Sequence, residues 1–272
     1  MKTSVEKVYW QAHRGGGAYE RPDNTMAANL YAWSLGGIPE ADIRTTRDGI
    51  IVCLHDETPA RTTTAPDDVK DRLVSSFTFE EIRQWDAGVK FSESFKGERI
   101  PSLKEVFEEM SGRPERLFYL DLKEVDLQQL GALIDEYGVH EQVIFTHNVQ
   151  DNCKRMKTIA SGVRSMLWIG GNAERIQETF LQARQSEFDG LDQIQLHLKK
   201  SGQDGAVWPY ALEPAFLEDA LAAAQNAGLD LEVFPFEFEE ASIHALLDIG
   251  IRWYATDEPA KFVQSVRSWM SN

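Results

Sequence analysis

The chain has 272 residues, with 28 Lys and Arg against 44 Asp and Glu, so its net charge is −16 at pH 7. Apolar residues make up 42% and charged residues 26%, which excludes wholesale disorder. The excess of acid argues against a partner bound through a broad basic face, such as duplex DNA or an anionic membrane surface. An anionic substrate would therefore need a few placed Lys or Arg side chains, or a metal ion.

The two cysteines, Cys53 and Cys153, are far apart and form no Cys-x-x-Cys spacing. This favours two buried free thiols in a reducing compartment over a disulfide framework or a thiolate zinc site. Residues 1–10 contain no apolar core of a signal peptide, and no run approaches the roughly 18 apolar residues of a spanning helix. The sequence therefore predicts a cytoplasmic protein without stable membrane insertion.

Short apolar runs rich in β-formers recur at even intervals and predict eight strands. These runs are Val8–His13, Ile38–Arg44, Leu117–Lys123, Gln142–Thr146, Arg164–Ile169, Gly190–Leu196, Asp230–Phe236 and Arg252–Thr256. Strands that alternate with helices imply parallel pairing through helical crossovers. Eight such units in about 250 residues predict a (β/α)₈ TIM barrel. An open doubly wound sheet is the rival, but no Gly-x-Gly-x-x-Gly leads from a strand into a helix.

Helix ends between these runs are marked by capping signals. Asn24 is predicted to cap a helix that stops before Gly36, and Thr78 and Ser102 each begin a capping box. The stretch 57–99 is too long for an ordinary loop and is interpreted as a small insertion over one barrel face, after the strand-two hairpin. No linker or repeat is visible, so residues 1–272 are predicted to form a single domain.

In a TIM barrel, side chains at the carboxyl ends of the strands face the active site. In this sequence these positions hold two cations, three carboxylates and a histidine, namely His13, Arg14, Glu40, Asp42, Asp121 and Lys123. Because strand side chains alternate with period two, Glu40 and Asp42 share one face of their strand. Asp121 and Lys123 share a face for the same reason.

A hairpin adds a second histidine. Asp48-Gly49 is a strong two-residue turn signal between two apolar runs. If these two residues form the turn, His55 lies directly opposite Asp42, and a register shift of one residue would turn His55 to the other face.

This residue set suits a particular chemistry. Carboxylates without Cys, with the histidines outside the ligand set, favour Mg²⁺ or Ca²⁺ over zinc. Two His, one Arg and one Lys around such a metal ion suit hydrolysis of a phosphate ester. The metal ion, Arg14 and Lys123 would neutralise the phosphoryl oxygens, and the histidines would move protons.

The same residues resemble the glycerophosphodiester phosphodiesterase family. The resemblance rests on His13-Arg14-Gly15, Pro22-Asp23-Asn24-Thr25, Glu40-x-Asp42, Thr46-Arg47-Asp48-Gly49 and His55-Asp56, with further echoes in Arg61-Thr62-Thr63, Leu120-Asp121-Leu122-Lys123 and Thr256-Asp257-Glu258-Pro259. It implies a (β/α)₈ barrel with a small insertion, a divalent cation, and cleavage of a glycerophosphodiester into glycerol phosphate and an alcohol.

The resemblance also implies residue roles. Glu40, Asp42 and Asp121 would be the metal ligands, His13 and His55 the general acid and base, and Arg14 and Lys123 the phosphate-binding pair. The sequence departs from the family pattern at Asp23 and Asp121, where Glu is usual, and at Phe234-Pro235-Phe236-Glu237, where Trp-Thr-Val-Asn is expected. Glu237 would add a negative charge to the site, which bears on substrate identity more than on reaction class.

Other candidates have plainer interpretations. His147 is predicted at the barrel rim, and His140, His197 and His244 are interpreted as surface residues. The aromatic residues Trp168, Trp208 and Phe236 are interpreted as pocket or core.

Two alternative functions stay open. One is a lysophospholipase D-like or phosphosugar diester activity. The other is a barrel that binds a phosphorylated ligand without cleaving it.

Overall fold

The structure, a computed structural model, describes residues 7–202 and 208–271. Residues 1–6, on which part of the signal-peptide prediction rests, lie outside the described residues. Among the helices described below, none combines the length and apolar character needed to cross a membrane.

Eight parallel strands and one antiparallel strand form a single sheet within the described residues. They are β1 (Tyr9–Ala12), β2 (Ile38–Thr45), β3 (Ile51–Cys53), β4 (Phe118–Glu124), β5 (Val143–His147), β6 (Arg164–Ile169), β7 (Gln193–Leu198), β8 (Asp230–Pro235) and β9 (Trp253–Thr256). The parallel strands pair in sequence order from β4 to β9. β9 then pairs with β1, β1 with β2, and β2 with β4, which closes the barrel. β3 pairs only with β2 and lies outside the barrel order. The predicted (β/α)₈ TIM barrel is confirmed, with β7 starting at Gln193 rather than Gly190.

The helices follow the strands around the barrel. They are α1 (Gly17–Glu20), α2 (Met26–Ser34), α3 (Phe79–Ile82), α4 (Leu103–Met110), α5 (Leu127–Tyr137), α6 (Gln150–Ile159), α7 (Ala173–Gln185), α8 (Pro214–Asn226), α9 (Glu240–Ile249) and α10 (Pro259–Ser271). Both predicted capping boxes form, at Thr78 of α3 and Ser102 of α4. The predicted cap of α2 is wrong, because Thr25 rather than Asn24 accepts the Ala28 N–H.

Period-two alternation divides each strand between two environments. On β2, Ala41 and Ile43 face outward into the main core, where the strands pack against the helices. Glu40 and Asp42 take the alternate positions and face the barrel interior, at the carboxyl end of the strand. The sequence pattern thus places the polar face of β2 inside the barrel.

The β2–β3 hairpin differs from its predicted register by one residue. Thr46 N–H donates to Ile50 O at 2.9 Å, so the turn spans three residues and Gly49 takes a left-handed conformation, with φ of 80°. Three-residue loops that end in a left-handed glycine are a common alternative to the two-residue turn. Asp42 O therefore accepts from Leu54 N–H at 2.8 Å, and Asp42 does not lie opposite His55.

The chain between β3 and α4 contains short helical pieces at Val74–Ser76, α3 and Glu93–Phe95. Its apolar side chains form a separate small core that includes Val74, Phe77 and Ile82. The single-domain division over 1–272 and the insertion bounds 57–99 stay predictions.

A carboxyl group lies fully buried inside the barrel. Glu232 on β8 has its Oε2 atom 3.0 Å from the Tyr119 hydroxyl and accepts a hydrogen bond from Gln193 Nε2 at 3.1 Å. Gln195 Nε2 donates to the other carboxylate oxygen. Burial raises the pKa of Glu232 to about 7, although hydrogen bonds from Gln195 and Tyr119 oppose the shift.

This buried carboxyl predicts a pH dependence of stability. A folded-state pKa of about 7, above the ordinary glutamate value of 4.5, means that the folded protein binds more protons than the unfolded chain between these two pH values. The contribution of Glu232 to the free energy of unfolding is therefore present below pH 4.5 and is lost as the pH rises through 7. Between pH 4.5 and 7, the wild type should lose on the order of 3 kcal/mol of unfolding free energy that Glu232→Gln does not lose. Urea denaturation at several pH values measures this difference. Glu213→Gln, at the start of α8, is the control; equal slopes in the wild type and Glu232→Gln would contradict the prediction.

Candidate active site

A cavity of about 210 Å³ opens at the carboxyl ends of the strands, and all seven predicted site residues line it. These are His13, Arg14, Glu40, Asp42, His55, Asp121 and Lys123. His55 reaches the cavity despite the shifted hairpin register, because β3 ends at Cys53 and period-two alternation no longer applies beyond it. The remaining lining residues are Gln11, Thr146, Met166, Trp168, Gln195, His197, Phe234, Phe236 and Ala255.

Three carboxylates form the floor of this cavity. Oxygen atoms of Glu40, Asp42 and Asp121 all lie within 4.8 Å of one another. Asp42 and Asp121 are direct neighbours in the β2–β4 register, and Glu40 lies one inward position before Asp42. Three converging carboxylates are the hard oxygen donors that Mg²⁺ and Ca²⁺ prefer.

Charge repulsion and burial act together on this floor. Burial, reinforced by the charge of Asp42, raises the pKa of Glu40 to about 8. Burial also raises the pKa of Asp121, whereas the charges of Lys123, His55 and Arg14 outweigh burial at Asp42 and lower its pKa. Lys123 Nζ lies 2.6 Å from Asp121 Oδ2 and 3.2 Å from Asp42 Oδ1. One ammonium group thus serves two carboxylates, which leaves the cluster acidic and suited to a divalent cation.

The turn after β1 aims backbone and side-chain donors at these carboxylates. Arg14 has a φ of 53°, which is strained for a residue with a side chain, and its N–H donates to Glu40 Oε2 at 2.7 Å. Its guanidinium contacts Asp23 through Nη1 at 3.1 Å. The Nε atom is buried without a hydrogen-bond partner among the described residues, and it lies 3.8 Å from Asp42 Oδ2, which is beyond hydrogen-bond distance. A buried donor without a hydrogen bond at the wall of a cavity is suited to an anionic ligand.

Asn24 holds Asp42 in place. Its Nδ2 donates to Asp42 Oδ2 at 3.0 Å, and its Oδ1 accepts from the Asp42 N–H at 2.9 Å. Asn24 is buried and has a φ of 56°, a conformation that asparagine tolerates better than most residues. This role explains why Asn24 does not cap α2.

Loss of this clamp should weaken cation binding. Asn24→Gly removes both hydrogen bonds and tolerates the positive φ, so the backbone is not strained. We expect the apparent affinity for Mg²⁺ or Ca²⁺ to fall about 10- to 100-fold, measured by cation titration of the thermal midpoint. Asn172→Gly, which alters only the cap of α7, is the control. An unchanged affinity in Asn24→Gly would contradict this role.

Both histidines are held by carboxylates through the same ring nitrogen. His13 Nδ1 donates to Asp257 Oδ1 at 2.7 Å, and His55 Nδ1 donates to Asp56 Oδ1 at 2.7 Å. An ionised carboxylate only accepts hydrogen bonds, so each Nδ1 carries a proton and each Nε2 is left for other partners. Burial alone would lower the pKa of His13, but the hydrogen bond to Asp257 and the charge of Glu40 outweigh it and raise the pKa.

The opposite wall of the cavity is aromatic, and it includes a residue that the sequence analysis placed at the surface. His197 is not a surface residue: its ring stacks on Trp168 at 5.2 Å and meets Phe236 edge-on at 5.1 Å. Gly170 permits this position, because a Cβ there would lie 2.8 Å from His197 Nδ1. Burial, with the charges of His13 and Lys199, lowers the pKa of His197 to about 4, so this wall is uncharged at neutral pH.

Other expectations for the site are revised. Glu237 does not line the cavity; its Oε2 lies 2.8 Å from Lys200 Nζ, beside a neighbouring cavity of about 500 Å³. Trp168 and Phe236 line the site, whereas Trp208 packs against the main core. His147 is not among the lining residues; its Nδ1 accepts from the Val149 N–H at 3.0 Å.

Sequence reasoning missed the residues that orient the site. Asp257 lies at the opposite end of the chain from His13, and no local pattern links the two. Asp257 was visible in the Thr256-Asp257-Glu258-Pro259 motif directly after the last strand, but that motif gives no indication of its partner. Asp56 and Asn24 were visible as parts of motifs, but their contacts depend on loop conformations that side-chain periodicity does not describe.

The fold and site define a TIM barrel with a carboxylate cluster for a divalent cation and flanking donors for an anionic group. The sequence model of the Glycerophosphoryl diester phosphodiesterase family matches residues 13–261, and the chain belongs to this family.

A curated relative agrees with this assignment, and two solved structures agree with the fold. A glycerophosphodiester phosphodiesterase from Caldanaerobacter subterraneus subsp. tengcongensis is 42% identical over 156 residues, which cover 53% of this chain and 61% of that relative. The fold resembles the crystal structure of a glycerophosphodiester phosphodiesterase from Agrobacterium tumefaciens, with a TM-score of 0.73 and 23% identity over 94% of this chain and 99% of that one. It also resembles an Oleispira antarctica phosphodiesterase in complex with sn-glycerol-3-phosphate, with a TM-score of 0.72 and 21% identity over 95% and 96% of the two chains.

Proposed function

We propose that this protein hydrolyses glycerophosphodiesters to glycerol phosphate and an alcohol with the help of a divalent cation. The observation that carries the proposal is the convergence of three carboxylates, two histidines, Arg14 and Lys123 on one cavity at the mouth of the barrel. Family membership supports the reaction class. The Oleispira antarctica relative that holds sn-glycerol-3-phosphate supports the product.

Glu40, Asp42 and Asp121 would hold the cation, either Mg²⁺ or Ca²⁺. The fit is supported by the oxygen atoms of the three carboxylates, which lie within 4.8 Å of one another, and by the raised pKa of Glu40, which burial and then the charge of Asp42 cause. When bound, such a cation supplies Lewis-acid stabilisation of the charge that develops on the phosphoryl oxygens.

Arg14 and Lys123 would bind the phosphate group. The unpaired Nε atom of Arg14 is available as a donor to a phosphate oxygen. Lys123 lies beside the carboxylate floor, and its pKa is raised: burial lowers it, but the neighbouring Asp121 and Asp42 charges outweigh burial, so the ammonium stays charged.

His13 and His55 would move protons. Because Asp257 and Asp56 each fix one Nδ1–H, the Nε2 atoms are available for the reacting groups. One imidazole takes a proton from the nucleophile, and the other gives a proton to the leaving alcohol oxygen. The nucleophile is either water, which gives glycerol phosphate directly, or a neighbouring glycerol hydroxyl, which closes a cyclic phosphodiester that water then opens. The reaction is then a general acid–base hydrolysis of a P–O bond.

The uncharged wall of Trp168, His197, Phe234 and Phe236 would face the organic part of the diester. Phe236 also lines the neighbouring cavity of about 500 Å³, so a bulky alcohol could extend past it. This observation favours a second candidate, a lysophospholipase D-like or phosphosugar diester activity. Both candidates take a small-molecule phosphodiester, and the net charge of −16 disfavours nucleic acid.

A substrate panel separates these candidates. Glycerophosphocholine, lysophosphatidylcholine and a phosphosugar diester are incubated with the protein at saturating Mg²⁺ or Ca²⁺, and released phosphate monoester is measured. Fastest turnover of glycerophosphocholine supports the proposal, and preference for either of the others supports the second candidate. Thermal stabilisation by glycerol phosphate without turnover of any diester would instead identify a binding barrel.

A cytoplasmic location remains our proposal for the compartment. It is supported by Cys53 and Cys153, which are both buried free thiols.

A further inference from the structure

Arg61, in the stretch between β3 and α4, lies between two carboxylates. Its Nε donates to Asp56 Oδ2 at 2.7 Å and its Nη2 donates to Asp56 Oδ1 at 3.2 Å. Its Nη1 donates to Asp23 Oδ2 at 2.8 Å. The guanidinium thus binds Asp56 in the two-pronged geometry typical of strong Arg–carboxylate pairs and holds a second carboxylate with its remaining prong.

Each of these carboxylates also holds a side chain of the site. Asp56 accepts from His55 Nδ1 at 2.7 Å, and Asp23 accepts from Arg14 Nη1 at 3.1 Å. A continuous chain of hydrogen bonds, in which basic side chains alternate with carboxylates, therefore runs through Arg14, Asp23, Arg61, Asp56 and His55. This chain links the turn after β1 to the segment after β3.

We propose that Arg61 is a positioning residue that fixes the orientation of His55 through Asp56 and of Arg14 through Asp23. The inference rests on the roles proposed above for His55 and Arg14. It assigns to the inserted segment a part in the reaction, since Arg61 does not line the cavity itself.

Burial explains why Asp23 depends on Arg61. The Asp23 side chain is only 7% exposed and is shared by the guanidinium groups of Arg14 and Arg61. Without Arg61, a buried carboxylate would have Arg14 as its only ion-pair partner among the described residues. Arg14 would then be drawn towards Asp23 and away from an incoming phosphate, which would raise KM.

Without Arg61, Asp56 would lose the contacts that keep its carboxylate ionised and fixed in orientation. Burial would raise the pKa of Asp56, but the hydrogen bonds from Arg61 and His55 and their charges outweigh it and lower the pKa. The ionised carboxylate keeps the proton on His55 Nδ1. Removal of Arg61 frees Asp56 to rotate, so His55 loses its fixed orientation and kcat falls.

Lysine cannot replace this arrangement. The lysine ammonium concentrates its charge at one nitrogen atom. In the planar guanidinium of Arg61, three nitrogen atoms each donate to a different carboxylate oxygen. A lysine at this position would keep the charge but could not reproduce the two-pronged contact with Asp56.

The test compares Arg61→Ala and Arg61→Lys with Arg83→Ala. Arg83 lies in the same segment and also pairs with a carboxylate, Glu105, at 2.7 Å, but it is not part of the chain of hydrogen bonds to the site. We expect Arg61→Ala to lose about 10- to 100-fold in kcat/KM at saturating cation, through both a lower kcat and a higher KM. Arg61→Lys should lose less kcat/KM than Arg61→Ala but remain below the wild type, and Arg83→Ala should have the kcat/KM of the wild type. Added guanidinium should increase turnover in Arg61→Ala and in none of the other proteins.

Two results would overturn the role of Arg61 while leaving the proposed function intact. One is wild-type kinetics in Arg61→Ala. The other is a loss that guanidinium does not rescue and that follows a lower thermal midpoint, since this would indicate a structural role only. If Arg61→Ala does not fold, Arg61→Lys decides, and full activity in that variant overturns the proposal. Absence of diester turnover in the wild type would instead refute the proposed function itself.

Discussion

Replacement of Asp42 by Asn is expected to reduce diester turnover about a thousandfold and to abolish stabilisation of the protein by divalent cations. Asp42 lies between Glu40 and Asp121 in the carboxylate cluster, within 4.8 Å of both, so its loss leaves two donors. Lewis-acid stabilisation is worth several kcal/mol, and each 1.36 kcal/mol corresponds to about tenfold in rate. The measurement is turnover together with the thermal midpoint, each with and without Mg²⁺ or Ca²⁺.

Without cation, the stability difference should have a different origin. Asp42→Asn relieves the repulsion on Glu40, but it also removes the carboxylate that Lys123, Arg14 and Asn24 stabilise, so we expect its thermal midpoint without cation to lie at or below that of the wild type. Cation at about 100 times its dissociation constant should stabilise the wild type alone, by about 2.7 kcal/mol. Asp67→Asn, on an exposed carboxylate, should behave as the wild type does. Cation stabilisation retained in Asp42→Asn would remove Asp42 from the ligand set.

Replacement of His13 or His55 by Gln is expected to reduce kcat by about 10²- to 10⁴-fold each. Glutamine keeps a polar side chain of similar size, but it neither gives nor takes a proton in the pH range in which histidine titrates. Because one histidine must be neutral and the other protonated, the wild type should have a bell-shaped pH profile. Each single variant should lose one limb of that profile, and the two variants should lose opposite limbs.

The control for both histidine variants is His140→Gln. His140 pairs with Asp135 at 2.7 Å and is remote in the fold from the lining residues of the cavity. Loss of the same limb in His13→Gln and His55→Gln would contradict the division of roles. Near-wild-type turnover in either variant would exclude that histidine from the reaction.

The barrel and the carboxylate cluster could be predicted because both follow from regular periodicity. Alternation with period two places Glu40 and Asp42 on one face of β2, and Asp121 and Lys123 on one face of β4. Parallel strands then bring these faces together at the same end of the barrel. The cluster depends on the β2–β4 register, in which Asp42 lies beside Asp121.

The hairpin shows where periodicity fails. Asp48-Gly49 indicated a two-residue turn. The observed loop has three residues, Arg47, Asp48 and Gly49, of which only Gly49 has a positive φ, of 80°. The choice between the two turns depends on small differences, among them the Thr46 hydroxyl, which donates to Asp48 Oδ1 at 2.6 Å. A one-residue register shift followed, and His55 reaches the cavity through the loop after β3 rather than through cross-strand pairing.

The residues that orient the site could not be predicted for a different reason. Asp257 holds His13 across almost the full length of the chain, and His197 joins the aromatic wall by stacking on Trp168. These contacts arise from barrel closure and loop packing, and single-sequence patterns carry no information about either. Arg61 was visible in a motif, but its two carboxylate partners become apparent only in three dimensions.

The central claim is that a cation held by the carboxylate cluster enables cleavage of a glycerophosphodiester. The most direct test removes all divalent ions from the wild-type protein, adds back Mg²⁺ or Ca²⁺ in steps, and measures glycerol phosphate released from glycerophosphocholine. We predict no release without cation and saturable recovery with one of the two ions. Release that persists in excess EDTA, or no release at any cation concentration, would contradict the claim.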